Sequence, residues 1–279
     1  MTDAIIGVLG WINDWILGLA ADNSALTSSL KDFSPALHSF TSTVMTSVVM
    51  PVAYVILALF FMLELYNASV KTDGGSSGVN LGAERVFQIL FKLALCKFAV
   101  DNTKLILNAI YQTSTNLTTG IQGVLTTGGT SVPIDTAALK TSIDALGFWS
   151  QLVALILCFI VFLIIMVAVA LANVIVITRF VELFVYLAIS PIPIATLPNE
   201  EFSQVGKNFL KNFVAVSIQG TLIFLVLAFF PVLLSAGLMS SSGDTDLFAA
   251  LVGAIGYAVV LILAVFSTSK WAKSITNAM

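Results

Sequence analysis

Apolar and polar positions alternate in long blocks along the chain. Residues 4–20 are apolar and bounded by Asp3 and Asp22. Within them Ile5, Leu9, Ile12, Ile16 and Leu19 recur at intervals of four and three, the spacing of one helix face, with Asn13 and Asp14 opposite. Trp11 and Trp15 lie one turn apart. The pattern predicts an amphipathic helix that either lies on a membrane, with its tryptophans at the interface, or packs on a neighbouring subunit. Ser34-Pro35 reads as an N-cap followed by proline at the first helical position. From there to Glu64 no acidic or basic residue occurs, counting His38 as neutral. Val44–Leu63 is long enough to span, since about 20 apolar residues cross the hydrocarbon. Pro51 predicts a kink, and KTDGGSSGVN, residues 71–80, reads as a flexible linker.

The next block is less uniform. In ERVFQILFKLALCKFAVDNTKLILNAIY, residues 84–111, Lys92, Lys97, Asp101 and Lys104 interrupt an apolar helical pattern. Arg85, Gln88 and Lys92 share one face, and Lys97, Asp101, Lys104 and Asn108 share another. Charges at membrane depth tend to face a bundle interior or a water-filled cavity, so Lys92, Lys97, Asp101 and Lys104 are candidates to line a wet path. An interfacial helix, or one whose lysines snorkel, fits the same residues. Residues 112–143 are rich in Ser, Thr and Gly and predict a segment projecting from the membrane.

From Asp144 to Arg179 there is again no charge, enough for a helix of about 50 Å at 1.5 Å per residue. Arg179 and Glu182, three apart, can pair. Then comes LAISPIPIATLPNEEF, with Pro191, Pro193 and Pro198 inside a stretch that carries no charge before Glu200. Proline removes the N–H donor a helix needs. Two readings follow: an extended elbow that ends the long helix at the cytoplasmic face, or a proline-kinked span. In the elbow reading, Asn199, Glu200 and Glu201 start the next helix, and together with Lys207 and Lys211 offer a surface to a cytoplasmic partner. Acidic residues suit a helix N-terminus. Lys211 to Asp244 and Asp246 to Lys270 are charge-free and predict two more spans. In the last, Ala250, Ala254 and Ala258, with Gly253 beside them, form the small-residue face that lets helices approach closely.

The expected fold is therefore all-α and polytopic, with about five transmembrane helices. Its parts are an N-terminal amphipathic segment (1–40), two membrane helices with a Gly/Ser linker (41–111), a polar extracytoplasmic segment (112–145) and a membrane core (146–279). The core holds the proline elbow over 189–199. Lys270 and Lys273 follow the last span while the preceding loop carries Asp244 and Asp246, which places the C-terminus inside and the N-terminus outside. These ends fit two topologies: one in which residues 86–111 cross and the proline segment does not, which is preferred, and one in which the roles are exchanged.

Composition supports this picture. Of 279 residues, 58% are hydrophobic and 10% charged, against about 25% charged in a soluble domain. The net charge of −3 argues against a nucleic-acid-binding surface. No cleavable signal peptide is visible, since Asp3 stands where a basic residue is expected. A bacterial inner or plasma membrane is the simplest location. Cys96 and Cys158 form neither a disulfide framework nor a metal pattern. Gly74–Gly78 spells G-x-S-x-G but sits in a linker with no preceding strand. One histidine excludes H-E-x-x-H sites. The sequence points to no enzyme, cofactor or metal.

The run TRFVELFVYLAISPIPIATLPNEEFSQVGKNFLKNFVAVSIQGTLIFLVLAFFPVLL, residues 178–234, resembles the TrbL-like polytopic subunit of conjugative type IV secretion systems, the Gram-positive branch most of all. The resemblance rests on an acidic helix end, SPIPIAT, an Asn-Glu turn, and GKNFLKNFVAVSIQG leading into a span. It implies an all-helical, non-enzymatic inner-membrane subunit at the base of a translocation apparatus. Such a subunit forms homo-oligomers beside other type IV secretion membrane subunits and works with cytoplasmic ATPases, in contact with membrane lipids and with nucleic acid only as a transported substrate. The competing reading is a small-molecule transporter or its substrate-binding component, built on broken helices. A single visible interruption and no internal repeat favour the first.

Overall fold

Capping chemistry sets the first helix boundaries. The computed structural model describes residues 2–8, 10–11, 24–73, 79–127, 147–199, 201–239 and 246–278. In it Ser34 Oγ accepts from the Leu37 N–H at 3.3 Å, with Pro35 in the first turn. The helices are α1 (Ser24–Thr27), α2 (Leu30–Phe33), α3 (Pro35–Val44), α4 (Met50–Asp73), α5 (Val79–Asp101), α6 (Thr103–Thr127), α7 (Phe148–Ile189), α8 (Pro191–Ala195), α9 (Ser203–Met239) and α10 (Asp246–Thr276). A π-helical turn, Met45–Val49, joins α3 to α4. Residues 2–8 are helical as well; Trp15 and the Gly74–Gly78 stretch lie outside the described residues. There is no strand among the described residues. Among the described residues four helical stretches are long and apolar enough to cross a membrane: Pro35–Ser69, Phe148–Ile189, Ser203–Phe230 and Val252–Thr276.

Three expectations need correction. Residues 86–111 are not one helix: α5 ends at Asp101, Asn102 forms a turn, and α6 begins at Thr103. Asn102 Nδ2 donates to the Phe98 carbonyl at 2.9 Å, and Thr103 Oγ1 to the Ala99 and Val100 carbonyls at 2.8 Å. These side chains supply local backbone partners that compete with the regular helix. The polar stretch begins as helix, since α6 runs to Thr127; residues 128–146 lie outside the described residues. Its hydroxyls hide their polarity by bonding back four residues: Thr113 to Ala109, Thr118 to Ser114 and Thr119 to Thr115.

The prolines end the long helix at Ile189 as expected, but the segment is not extended. Pro191 and Pro193 sit in the first turn of the short helix α8, where the missing N–H groups would have had no intrahelical partner. Pro198 follows in a turn. Finally, Arg179 does not pair with Glu182. It crosses to α9, where Nε donates to the Val216 carbonyl at 3.0 Å and Nη2 to the Ser217 carbonyl at 3.1 Å.

The residues group into two compact units. One comprises Met1–Ser28, Ser114–Thr178 and Gln219–Trp271. In it Trp11 lies against Phe162 of α7, with ring centroids 6.1 Å apart, and Ile5 is buried, so the N-terminal helix packs on its own chain. Thr221 Oγ1 on α9 meets Thr118 Oγ1 at 2.8 Å and Ser114 Oγ at 3.2 Å, joining α6 to α9 through buried hydroxyls. Lipid tails are as apolar as leucine, so such polar contacts and close packing hold membrane helices together better than apolar burial does. Ala254 and Ala258 are buried within the chain, on one stripe with Leu261 and Val265. Gly253 is half-buried, and the Ala250 side chain is outside those described. Ala254→Leu is expected to cost about 1–3 kcal/mol through overpacking and to lower the unfolding temperature of detergent-solubilised protein. Unchanged melting would show that the stripe has slack.

The second unit comprises Ser29–Thr113, Arg179–Ile218 and Ala272–Met279. Its core gathers Ala53 and Leu57 of α4, Val100 of α5, and Ile194 and Ala195 of α8, with Leu93 and Cys96 against them. Residues about 20 before the α4–α5 link thus meet residues about 20 after it, so the two helices run antiparallel. Arg179 is almost wholly buried, capped by the rings of Tyr111 at 5.7 Å and Phe180 at 5.4 Å. Phe33 stacks on Phe180 at 3.7 Å.

Candidate functional site

Two helix interruptions lie in the second unit, and the ionisable side chains expected on one face collect beside them. The first is the π-turn. Pro51 has no N–H to offer the Ser47 carbonyl, and just before it the ladder widens, with the Met50 N–H reaching back five residues to the Met45 carbonyl. The second is the turn at Asn102. Between them Tyr54 of α4 donates its hydroxyl to Asp101 Oδ1 at 2.6 Å. Lys97 Nζ reaches Asp101 Oδ2 at 3.1 Å. Lys104 Nζ donates to Ser42 Oγ of α3 at 2.9 Å, and His38 sits half-buried one turn before Ser42.

Asp101, Asn102, Lys104, Leu105, Asn108, Ala109 and Gln112 line a groove of about 520 Å³. The Lys97 and Asp101 side chains are 63% and 35% exposed, so the pair opens outward from the chain. The groove lies beside α3–α4, a stretch able to cross a membrane. Charges held open to lipid at that level are costly, and in membrane proteins they face water or another polypeptide.

Of the residues singled out from sequence, Lys97, Asp101 and Lys104 thus come together. Lys92 is exposed on α5, whose outer face carries Phe87, Phe91 and Phe98. Spacing indicated the groove face but not Tyr54 or Ser42, whose contacts join residues 47 and 62 apart in sequence. Gln112 was readable as the next step after Asn108.

The residues around the proline turn separate by exposure. Pro191 and Pro198 are buried and Pro193 is half-buried. Asn199, 2% exposed, turns inward; its Oδ1 accepts from the N–H groups of Glu201 at 3.0 Å and Phe202 at 3.2 Å. It therefore caps the chain ahead of α9. Glu201, Lys207 and Lys211 are exposed, and Glu200 lies outside the described residues. Gly206, the first residue of the GKNFLKNFVAVSIQG run, lies against this turn: a Cβ there would stand 2.7 Å from the Pro193 carbonyl oxygen and 2.7 Å from Leu197 Cδ2. Among the described residues no group of three His, Cys, Asp or Glu side chains could hold a metal ion.

Helices able to cross a membrane and a polar groove beside one of them define an all-α polytopic membrane protein. Two family models described as TrbL/VirB6 plasmid conjugal transfer like protein match it, one over residues 19–191 and the other over 106–279. The chain belongs to the TrbL/VirB6 conjugal transfer-like family, and that membership points to a membrane subunit of conjugal transfer. No curated protein and no solved structure matches it.

Proposed function

We propose that the protein is a non-enzymatic channel or scaffold subunit at the base of a conjugal-transfer apparatus, and that the polar face of α5–α6 borders its aqueous route. The observation that carries this reading is the open groove lined by Asp101 and Lys104, with Lys97 paired to Asp101, beside a stretch able to cross a membrane, in a chain of the conjugal-transfer family. In this reading α5 and α6 together make a fifth crossing, broken at Asn102. Several copies surround the route next to other secretion-system membrane subunits. The chain sits in a bacterial cell membrane with its N-terminus outside and its C-terminus, behind Lys270 and Lys273, in the cytoplasm. The exposed Glu201, Lys207 and Lys211 then face cytoplasmic partners such as the ATPases.

Replacing Asn108 and Gln112 together by leucine makes the groove wall apolar without touching the buried side of α6. Substrate transfer by cells carrying the double variant is expected to fall sharply while the protein stays in the membrane at normal level. Phe91→Leu, on the exposed apolar face of α5, should leave transfer intact. Undiminished transfer by the double variant would sink the proposal.

A second reading keeps one observation on its side. Two interrupted helices lie together, at Met45–Val49 and at Asn102, and paired interruptions are a mark of small-molecule transporters. Loss of uptake of a small solute with normal transfer in the same double variant would favour it.

A further inference from the structure

We propose that the groove on α5–α6 admits anions in preference to cations. The inference rests on reading that face as wet, and it follows from a local charge count. Asp101 is matched on both oxygens, by Lys97 at 3.1 Å and by the Tyr54 hydroxyl at 2.6 Å. Its negative charge is therefore cancelled by a neighbouring ammonium. Lys104 gives its hydrogen bond to Ser42 Oγ, a neutral hydroxyl, so among the described residues Lys97, Asp101 and Lys104 together leave one positive charge in excess.

The remaining polar lining is Asn102, Asn108 and Gln112. Asn102 spends its amide on the Phe98 carbonyl. Asn108 and Gln112 follow Lys104 at steps of four residues, and a carboxamide can present an N–H donor as readily as an oxygen. An ammonium and two such amides in one row suit a carboxylate, sulfonate or phosphate oxygen. They offer a cation two carbonyl oxygens against an uncancelled positive charge. Rings and clefts of lysine or arginine serve this purpose in anion-passing pores.

Reaction rates at a single thiol in the groove test the proposal. Asn108→Cys is placed in a chain in which Cys96 is Ser and Cys158 is Ala, and the protein is kept in membrane vesicles. Three methanethiosulfonates of similar size are applied: a neutral hydrophilic one, an anionic sulfonate and a cationic trimethylammonium. Rates are divided by those with a free thiol. The anionic reagent is expected to exceed the cationic one on the order of ten-fold, from opposite interactions with one nearby ammonium in a water-like medium. Added salt should shrink the ratio, and Lys104→Gln should bring it close to one. Gln112→Cys, one turn away, gives a second measurement should the first variant fold poorly. If the neutral reagent fails at both positions while labelling the unfolded chain, the face is not wet, and both the proposed route and this inference fall. If the neutral reagent reacts and the cationic one matches or exceeds the anionic one, the route stands and the inference alone is overturned.

Discussion

Gly206→Ala should lower the stability of the protein by about 1–3 kcal/mol, the usual range for forcing a methyl group into a filled site. The new Cβ would lie 2.7 Å from the Pro193 carbonyl oxygen and 2.7 Å from Leu197 Cδ2. The leucine can turn aside; the carbonyl belongs to the α8 backbone and cannot. The substitution would therefore push the proline turn off the first turns of α9 and loosen the packing of Ile194 and Ala195 against Ala53 and Val100. Alanine is otherwise worth up to about 1 kcal/mol more than glycine inside a helix, so the sign of the effect is informative. Gly120 and Gly123 on α6, where a Cβ would meet nothing within 4 Å, provide the control; alanine there should be neutral or stabilising. Thermal unfolding in detergent would measure all three. Combining Gly206→Ala with Leu197→Ala should recover only part of the loss, and full recovery would show that the backbone contact does not matter.

Arg179→Glu should be more damaging still, about 3–5 kcal/mol, the range for leaving a buried charge without its partner. The wild-type guanidinium donates to two α9 carbonyls and lies between the rings of Tyr111 and Phe180. A carboxylate would set its charge against those carbonyl oxygens and aromatic faces. Loss of protein from the membrane fraction is the expected result. Arg179→Met separates charge from shape. It keeps much of the volume, and a hydrophobic replacement for a buried ionic group is often neutral or stabilising. Its melting temperature should stay close to wild type. A methionine variant that unfolds as readily as the glutamate variant would mean that the two carbonyl bonds hold α7 to α9; a glutamate variant that folds normally would show that the site is not sealed.

Local chemistry was legible in the sequence and distant pairing was not. Ser34-Pro35 announced the start of α3, because an N-cap and a first-turn proline need only their own neighbours. Pro191 announced the end of α7, but not the shape that followed: a missing N–H is tolerated equally in an extended segment and in the first turn of α8. The break at Asn102 carries no proline or glycine and rests on side chains bonding back to the backbone, which polarity alone does not distinguish from an exposed helix face. The same back-bonding lets residues 112–127, rich in Ser, Thr and Gly, continue α6, a helix that their composition did not announce. The groove face was visible in the spacing of Lys97, Asp101, Lys104 and Asn108. Tyr54 and Ser42 entered only when the chain folded back. Arg179 stood out as a charge at the end of a long apolar run, but spacing offered Glu182 as its partner while burial against α9 supplied two carbonyls.

The Arg179 contact also bears on how the protein is made. Its acceptors lie 37 and 38 residues further along the chain. At about 5–20 residues per second of synthesis, the guanidinium emerges roughly 2–7 s before the carbonyls that will receive it. For that interval the end of α7 carries a cation with no acceptor from α9, and it must wait in water or in the insertion machinery rather than in lipid. The placement of this helix end is therefore decided late, when α9 arrives, and a ribosome paused between Arg179 and Val216 would lengthen the wait.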